Sequence, residues 1–277
     1  MVIEQKWDRL RTLLRGIECA VLAYSGGVDS SLLLRAAAEI MGHRLIAVTA
    51  ISETYPPGEL EAAKEFTRTL GVTHRILRTQ ELASEEFARN SPERCYFCKK
   101  ELYGKLKKIA ENEGISCILD GSNADDLDDH RPGRKAAEEF SVRSPLVEAG
   151  LSKSDVRELA RFLNLPVWDK PSLACLSSRI PYGTRITPDI IETVKTAEYH
   201  LRILGFRQVR VRHHGDIARI EIDREEFGQL LSGDAIEKIT AALKGLGYIY
   251  VCLDLEGYRT GSMNAAVGKV RRARGRE

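Results

Sequence analysis

Residues 19–30 read CAVLAYSGGVDS, a short apolar run that ends in a pair of glycines. The run Cys19–Tyr24 has the length and composition of a buried strand, and apolar side chains then recur at helical spacing from Asp29 to Met41. Adjacent glycines between a strand and a helix let backbone amides approach phosphate oxygens, and the helix start adds N–H donors and its dipole. The stretch therefore predicts a phosphate-binding loop.

The polar residues of this loop suit a nucleotide. Gly26 and Gly27 supply amides, and Ser25 and Ser30 supply hydroxyl donors. We expect Asp29 to hold the Mg²⁺ that bridges the phosphates. The loop lacks the Gly-Lys-Ser/Thr of a Walker A motif and is not G-x-G-x-x-G. The alternative is a plain strand–helix turn in which Asp29 or Ser30 only caps the helix.

Strands and helices alternate over the first part of the chain. The predicted strands span 19–24, 45–51, 73–77 and 117–120, and the predicted helices span 29–41, 59–70, 99–113 and 152–163. This alternation is typical of an α/β protein with a doubly wound parallel sheet. Ligands bind beyond the carboxyl ends of such strands, so the phosphate loop and the turn Asp120–Asn123 should open onto one cleft.

Past residue 165 the pattern changes. The stretch 167–188 contains Pro, Ser, Gly and Cys175, and a loop of this length is usually functional or disordered. Beyond it we predict an α-β-β-α-β unit, with a helix at 189–204, strands at 208–214 and 217–222, a helical region at 225–246 and a strand at 248–255. We therefore divide the chain into a nucleotide-binding domain, 1–165, and a smaller C-terminal α+β domain with the Cys175 loop, 166–277.

Composition and charge narrow the class of protein. The 277 residues are 43% hydrophobic and 30% charged, with a formal net charge of +2, which indicates neither a nucleic-acid partner nor a membrane span. The basic tail 269–276 is interpreted as a solvated end. Residues 1–18 lack the apolar core of a signal peptide, and we expect a cytoplasmic protein. Its six cysteines should therefore stay reduced.

Three of the cysteines are candidates for chemistry. Cys95 and Cys98 form a C-x-x-C just before a predicted helix, and Cys175 lies in the long loop. The others lie in apolar strands, where a cysteine is usually a small buried side chain: Cys19, Cys117 and Cys252. Three thiolates suit a [4Fe-4S] cluster with one iron left open. The alternatives are persulfide chemistry, three unliganded thiols, or a zinc site completed by a histidine such as His130, His213 or His214.

Further charged residues are placed to meet a nucleotide. Lys99 and Lys100 follow the C-x-x-C, where either could neutralise a phosphate, although a solvated helix start explains them equally well. Arg210 and Arg212 are two apart on a predicted strand, so both face one side and suit a bidentate phosphate contact. The alternative is an exposed strand face. The carboxylates within 125–129 are either a solvated turn or further oxygen ligands for Mg²⁺.

Together these motifs resemble those of a specific family. The loop has the S-G-G-x-D-S signature of the PP-loop ATP-pyrophosphatases, which split ATP between its α and β phosphates. Further segments also resemble members of one family, namely 99–100, 120–121, 131–133, 177–179, 181–183, 209–212 and 216–221. With them the chain resembles the LarE sulfur transferases from the phosphate loop to about Asn264.

The resemblance implies a fold, an activity and site residues. The fold is PP-loop ATP-pyrophosphatase-like (HUP). The activity is adenylation of a carboxylate of pyridinium-3,5-biscarboxylic acid mononucleotide and its conversion to a thiocarboxylate, for the nickel-pincer nucleotide cofactor of lactate racemase. Arg210 and Arg212, with Ser178, would bind the phosphate of the mononucleotide. Arg179 and Glu198 would join the three cysteines as catalytic residues near the sulfur site.

One departure separates this chain from the sacrificial members of the family, which give up the sulfur of their own cysteine. That cysteine lies five residues before the arginine that corresponds to Arg179, where this chain has Ala174. Cys175 comes one residue later, and the sacrificial form lacks the C-x-x-C. We therefore predict the cluster-bearing variety, in which Cys95, Cys98 and Cys175 hold [4Fe-4S]. Sacrifice of Cys175 is the alternative.

Other classes of function stay open. A tRNA thiolase can also combine a PP-loop with three cysteines, but it should carry a broad basic surface. An amide-forming synthetase would leave the cysteines unexplained, and an ATP-sensing module would release no pyrophosphate. We expect a homo-oligomer that acts on a nicotinate-derived mononucleotide, takes sulfur from sulfide or a persulfide donor, and binds neither membrane nor nucleic acid.

Overall fold

The computed structural model describes residues 2–55, 58–127, 132–171, 174–259 and 261–264. The chain divides into two compact units. Unit 1 comprises Met1–Ser52, Pro57–Glu81 and Glu93–Leu173, and unit 2 comprises Glu53–Pro56, Leu82–Pro92 and Ala174–Glu277. The predicted domain division at 165/166 concerns independent folding, which this spatial grouping does not test, so it stays a prediction. In the part of the chain that the structure describes, no helix is both long and apolar enough to cross a membrane.

Strands and helices alternate over residues 3–78 and then follow in a less regular order. The strands are β1 (Ala20–Ala23), β2 (Leu45–Ile51), β3 (Thr73–Arg78), β4 (Ile118–Leu119), β5 (Arg210–His214), β6 (Ile217–Glu221) and β7 (Tyr250–Leu253). The α-helices are α1 (Ile3–Arg15), α2 (Val28–Met41), α3 (Glu59–Thr69), α4 (Glu85–Ala88), α5 (Arg94–Asn112), α6 (Gly133–Glu139), α7 (Pro145–Glu148), α8 (Lys153–Phe162), α9 (Pro188–Ile203), α10 (Phe227–Leu230) and α11 (Ala235–Gly245).

Unit 1 is a parallel sheet covered on both faces. Its strands lie in the order β3-β2-β1-β4, and Val21 of β1 pairs with Ile46 on one side and Ile118 on the other. These three side chains pack against α5 and α6. Alternate strand residues, such as Ala20 and Leu22, face the opposite side and pack with α1, α2 and α8. The doubly wound parallel sheet predicted from the sequence is confirmed.

Unit 2 is a smaller α+β unit. β5 runs antiparallel to β6, and β6 runs parallel to β7, in the order β5-β6-β7. Leu201, Val211, Ile220 and Leu243 join α9, α11 and the sheet in one core. Asn90 fixes the segment 82–92 to this unit, because its Nδ2 donates to the carbonyls of Pro181 at 2.8 Å and Thr184 at 2.9 Å.

Candidate functional site

The phosphate loop leaves β1 and enters α2 in a conformation that only glycine adopts easily. Gly26 has φ +79°, in the left-handed region. The N-cap of α2 is Gly27, so no side chain covers the first-turn amides, and neither Asp29 nor Ser30 is the cap. The Ser25 and Ser30 hydroxyl oxygens lie 3.0 Å apart, and Ser30 donates to the Gly27 carbonyl at 3.1 Å. The loop is therefore preformed by its own hydrogen bonds, and the start of α2 carries no side-chain cap.

Asp29 is held by two partners that the sequence did not reveal. Its Oδ1 accepts a hydrogen bond from Asn123 Nδ2 at 3.1 Å, and its Oδ2 forms an ion pair with the ammonium of Lys153. Mg²⁺ is typically held by one or two carboxylates and the substrate phosphates. A single carboxylate at the start of a phosphate-binding helix therefore fits the predicted role of Asp29.

A second lysine lies at the other end of the loop. Lys170 Nζ is 3.4 Å from the Gly26 carbonyl oxygen and forms an ion pair with Glu59, in the first turn of α3. The sequence predicted no functional role for Lys153 or Lys170. Each is more than a hundred residues from the loop, and no local pattern marks a lysine that reaches a motif through the fold.

The turn after β4 packs directly against the phosphate loop. A Cβ added to Gly121 would lie 2.9 Å from both Cα and N of Ser30, so a side chain has no room there. Asp120, almost fully buried, accepts hydrogen bonds at Oδ1 from the Ser122 amide and the Ser144 hydroxyl, at 3.1 and 2.7 Å. The close approach of Gly121 to Ser30 confirms that the two strand-end loops meet.

The carboxylates that follow this turn hold backbone in place. Asp126 Oδ2 accepts from the Asn123 amide at 3.1 Å, and Asp125 Oδ2 accepts from the Lys153 amide at 3.0 Å. Each thereby fixes a neighbour of Asp29. Asp128 and Asp129, which belong to the same predicted cluster, lie outside the described residues, as do His130, Arg131 and the basic tail 269–276.

Lys99 belongs to a network that links α5 to β4. Its ammonium donates to the Tyr103 hydroxyl at 2.9 Å, and Tyr103 donates to Asp120 Oδ2 at 2.7 Å. Burial raises the pKa of Tyr103 to about 12, so it stays a donor. Burial alone would raise the pKa of Asp120, but Lys99 and the hydroxyl donors outweigh it and hold that pKa below its ordinary value. Asp120 therefore stays charged.

Lys100 takes a different environment from Lys99. Its Nζ lies 5.7 Å from the centroid of the Tyr96 ring, and Lys135 Nζ lies 5.4 Å from the same centroid. Cations this close to an aromatic face are attracted by its quadrupole. The start of α5 therefore presents positive charge beside the C-x-x-C.

The structure brings two of the three candidate cysteines together. The predicted helix start at residue 99 was too late: α5 begins at Arg94, so Cys95 and Cys98 lie near its start, three residues apart and on one face. Cys95 is exposed and Cys98 is half-buried. Cys175 is exposed and belongs to unit 2, where it precedes a short 3₁₀ helix at Leu176–Arg179.

The described part of the chain contains no group of three or more His, Cys, Asp or Glu side chains arranged to hold a metal ion. The three thiols are nevertheless of the right type, and those of Cys95 and Cys175 are exposed.

None of the remaining cysteines is fully buried as expected. Cys19 and Cys117 are half-buried, and Cys252 is exposed because its neighbours Val251 and Leu253 take the core-facing side of β7.

A buried arginine cluster forms the centre of unit 2. Arg179 donates to both oxygens of Glu198, at 2.6 and 2.9 Å, and both side chains are almost fully buried. Arg202 and the Val211 amide also donate to Glu198. Burial alone would raise the pKa of Glu198, but the guanidinium groups, above all that of Arg179, hold it below its ordinary value. Glu198 therefore fixes the orientation of Arg179, and the catalytic role that the resemblance implies for it stays a prediction.

Arg210 and Arg212 are both buried, which makes the exposed-face alternative wrong. Arg212 donates to Glu221 at 2.6 Å and to the Ser178 carbonyl at 3.0 Å. Arg210 lies 5.3 Å from the centroid of the Tyr258 ring. Burial, reinforced by the charge of Arg179, lowers the pKa of Arg210 to about 10. Arg210 therefore still carries its charge at neutral pH, and a buried cation favours negative charge beside it.

Among the described residues, this cluster contains more guanidinium groups than carboxylates. The guanidinium groups belong to Arg179, Arg202, Arg210, Arg212 and Arg219, and the carboxylates to Glu198, Glu221 and Asp254. Arginine forks match phosphate and carboxylate geometry, so the cluster is chemically suited to an anionic substrate group.

The chain is similar to known proteins over both of its units. A family model described as asparagine synthase matches residues 19–164, which include the phosphate loop. The pyridinium-3,5-bisthiocarboxylic acid mononucleotide synthase of Lactiplantibacillus plantarum is 40% identical over 261 residues, 94% of this chain and 94% of that protein. The chain belongs to the LarE family of PP-loop ATP-dependent sulfur transferases.

Two further proteins are similar to this chain. An uncharacterised protein of Synechocystis is 41% identical over 268 residues, 97% of this chain and 100% of that protein. A tRNA-specific 2-thiouridylase of Xanthobacter autotrophicus is 30% identical over 248 residues, 70% of this chain and 59% of that protein. As a LarE-family enzyme the chain uses ATP in sulfur transfer.

Proposed function

We propose that the enzyme adenylates a carboxylate of pyridinium-3,5-biscarboxylic acid mononucleotide and replaces the AMP with sulfur, which gives the thiocarboxylate. The observation that carries this proposal is the similarity to the L. plantarum synthase, which extends over 94% of both chains and through unit 2. A match confined to the phosphate loop would support only the use of ATP. The arginine cluster of unit 2 adds a site for the anionic groups of such a substrate.

The chemistry follows from the weakness of a carboxylate as an acyl donor. A carboxylate oxygen of the substrate attacks the α-phosphorus of ATP, the bond to the β-phosphate breaks, and pyrophosphate leaves. A hydrosulfide sulfur then attacks the activated carbonyl carbon, and AMP leaves with the electron pair of the acyl C–O bond. The loop amides and the hydroxyls of Ser25 and Ser30 are placed to bind the departing phosphates.

The other predicted site residues receive roles within this reaction. Asp29 would hold Mg²⁺ on the phosphates, and Lys99 and Lys100 add positive charge at the start of α5. Arg210 and Arg212, with Ser178, would bind the phosphate of the mononucleotide. Glu198 keeps Arg179 in one orientation through two hydrogen bonds, so that its charge is fixed before the substrate arrives.

We further propose that Cys95, Cys98 and Cys175 hold a [4Fe-4S] cluster. Two accessible thiols on one helical turn and a third exposed thiol match the donor type that such clusters require. When bound, the cluster would supply an open iron that carries the hydrosulfide. Ala174, at the place of the sacrificial cysteine, favours this route. Transfer of the Cys175 sulfur itself is the second candidate.

Iron and acid-labile sulfide analysis after anaerobic purification tests the proposal. The full-length protein should contain about four irons and four sulfides, and Cys95→Ala, Cys98→Ala and Cys175→Ala should each lose them. Cys252→Ala is the matched control, because Cys252 is exposed but lies outside the trio, and it should keep the iron. Pyrophosphate release should depend on the biscarboxylate mononucleotide.

A different outcome would replace the cluster by the sacrificial route. An iron-free protein whose Cys175 has lost the elements of H₂S after turnover, seen by mass spectrometry as dehydroalanine, would establish that route. Pyrophosphate release with no carboxylate mononucleotide at all would overturn the proposed substrate. The sulfide or persulfide donor, the homo-oligomeric state and the cytoplasmic location inferred from the sequence stay predictions.

A further inference from the structure

We propose that Tyr258 and Ser262 are positioning residues of the arginine cluster in unit 2; this assignment rests on the proposed function. Tyr258 holds the guanidinium group of Arg210 in place. Ser262 does the same for Arg212, the second arginine that would bind the phosphate of the mononucleotide. Both positioning residues belong to the segment after β7, residues 254–259 and 261–263, which we name the return segment.

A glycine turn fixes the course of the return segment beside the end of β6. The Asp254 amide donates to the Ile220 carbonyl, and the Tyr258 amide donates to the Ile222 carbonyl, both at 2.8 Å. Between these two bonds Gly257 has φ +69°, and a Cβ there would lie 3.0 Å from the Ile222 carbonyl oxygen. Only glycine fits this turn. The backbone of Tyr258 is therefore held at a defined place on the sheet.

The polar face of this sheet carries the arginines that the return segment contacts. Arg210 of β5 lies opposite Glu221 of β6. The next pair on the same face is Arg212 and Arg219. Val211, between the two arginines of β5, points into the core of unit 2. Because side chains alternate along a strand, the guanidinium groups share the face that is turned away from the core.

Ser262 holds Arg212 through a hydroxyl group that is both acceptor and donor. Its Oγ accepts from Arg212 Nη2 at 2.9 Å and donates to Glu221 Oε1 at 2.8 Å. Arg212 Nη2 also donates to Glu221 Oε2 at 2.6 Å, and both of these charged side chains are buried. The three groups close a ring of hydrogen bonds. The guanidinium of Arg212 therefore cannot turn without breaking contacts to both partners.

One donor of the held guanidinium stays open for a ligand. Arg212 Nη1 donates to the Ser178 carbonyl at 3.0 Å. Its Nε is buried and has no hydrogen-bond partner among the residues that the structure describes. A buried donor without an acceptor is costly, and a phosphate oxygen is a strong acceptor for a guanidinium. The contacts to Ser262 and Glu221 thus orient the group and leave Nε for the phosphate.

Tyr258 holds Arg210 in a way that leaves its charge in place. The Arg210 guanidinium carbon lies 5.3 Å from the centroid of the Tyr258 ring, and Arg210 Nη1 donates to the Val209 carbonyl at 2.7 Å. An aromatic face attracts a cation without accepting its in-plane N–H bonds. A carboxylate in the same place would neutralise the guanidinium and occupy its donors. The ring therefore positions Arg210 and keeps it able to bind an anion.

Calorimetric titration of the full-length protein with nicotinate mononucleotide and with nicotinate riboside tests this assignment. The two probes differ by the phosphate, so the ratio of their affinities reports phosphate binding alone. Wild type should prefer the mononucleotide. Ser262→Ala should reduce this preference by about tenfold and Tyr258→Ala by about fivefold, as expected for one charge-assisted hydrogen bond and one buried cation–π contact. Affinity for the riboside should stay as in wild type.

Conservative variants and matched controls separate positioning from support of the fold. Ser262→Thr keeps the hydroxyl and Tyr258→Phe keeps the ring, so both should retain most of the preference. Ser232→Ala is the control for serine, because its hydroxyl donates to the Gln229 carbonyl at an exposed position. Tyr250→Ala is the control for tyrosine, since Tyr250 is an exposed residue of β7. Both controls should keep the wild-type preference.

The assignment and the proposed function fail in different ways. Alanine variants that keep the wild-type preference, or that weaken both probes equally, would overturn the assignment and leave the proposed function standing. A wild-type protein that binds both probes equally would overturn the proposed phosphate site, and the assignment with it. Loss of the preference in both alanine variants would support the assignment even if the biscarboxylate mononucleotide caused no release of pyrophosphate, a result that would overturn the proposed reaction.

Discussion

At the scale of single residues, Gly121 leaves no space for a side chain beside the phosphate loop. Gly121→Ala would place a methyl group 2.9 Å from the Ser30 backbone, so the start of α2 must shift. We expect affinity for α,β-methylene-ATP to fall by about tenfold or more, the cost of one misplaced contact to a charged group. Calorimetric titration measures this affinity.

The control for this substitution is Gly245→Ala. Gly245 lies in α11, and a Cβ there meets no atom within 4 Å. Its nucleotide affinity should stay unchanged and its stability should rise slightly, because alanine favours a helix. Equal affinity of the two variants would show that the loop tolerates movement of Ser30.

The buried pair Arg179–Glu198 predicts a dependence of stability on pH. Because the folded pKa of Glu198 is lowered from its ordinary value of 4.5, its contribution is complete above that value and is lost as pH falls through the folded pKa. Glu198→Gln should destabilise the protein at neutral pH by roughly 3–5 kcal/mol, since Arg179 keeps a buried charge without its counter-charge. Below about pH 4.5 its deficit should shrink.

Urea unfolding at several pH values measures this difference. Glu192→Gln is the matched control: it lies on the same helix, α9, and its pair with Lys195 is largely exposed. A Glu198→Gln variant whose deficit stays constant from neutral to acid pH would contradict the assignment of the charge to Glu198.

Some features of the site could be predicted from the sequence, and others depend on the fold. Ser25, Gly26, Gly27, Asp29 and Ser30 follow from a local pattern, because a strand, two glycines and a helix are adjacent in the chain. Pairings made by the fold carry no such pattern. Lys153 meets Asp29 across 124 residues, and Arg179 meets Glu198 across 19, so the sequence could name some of these residues but not their partners.

Among the secondary elements, α5 joins the C-x-x-C to the strand-end loop through Tyr103. Tyr103→Phe removes the hydroxyl that accepts from Lys99 and donates to buried Asp120. We expect a loss of about 1–3 kcal/mol in the free energy of unfolding, because a buried carboxylate loses a donor. Chemical denaturation measures this free energy.

Tyr96→Phe serves as the control on the same helix. The Tyr96 hydroxyl donates to Glu139 at an exposed position, so its removal should change stability by less than about 0.5 kcal/mol. If the two variants lost equal stability, the Tyr103 network would contribute no more than a surface contact.

The helices and strands predicted most accurately are those whose ends are marked by a residue pattern in the sequence. β2 lies at 45–51 as predicted, and α3 ends within one residue of its predicted end because Gly71 follows it. The start of α5 was placed too late, since nothing between Pro92 and Lys99 breaks a helix. The helical region 225–246 is interrupted where Gly233 has φ +63°, a break that periodicity alone does not show. The short helices α6 and α7 are one or two turns long and leave too weak a periodic signal.

Over the whole molecule, the balance of charge separates the proposed reaction from tRNA thiolation. The chain has 42 basic and 40 acidic residues, a formal net charge of +2, although a tRNA thiolase is among its relatives. Phosphate backbones are bound through many lysine and arginine contacts, which make affinity strongly dependent on salt. Arg179, Arg210 and Arg212 of unit 2 are buried and are therefore not placed to follow a nucleic-acid backbone.

We therefore expect the biscarboxylate mononucleotide, and not tRNA, to stimulate pyrophosphate release from ATP. The measurement compares release with the mononucleotide, with unmodified tRNA and with neither, at low and at physiological salt. Arg210→Gln should abolish most of the stimulation, because it removes a buried guanidinium that we propose binds the phosphate of the mononucleotide. Arg68→Gln, whose guanidinium lies on the exposed side of α3, is its control and should respond as wild type does. Stimulation by tRNA that weakens steeply with salt and survives Arg210→Gln would instead identify the chain as a thiolase of nucleic acid.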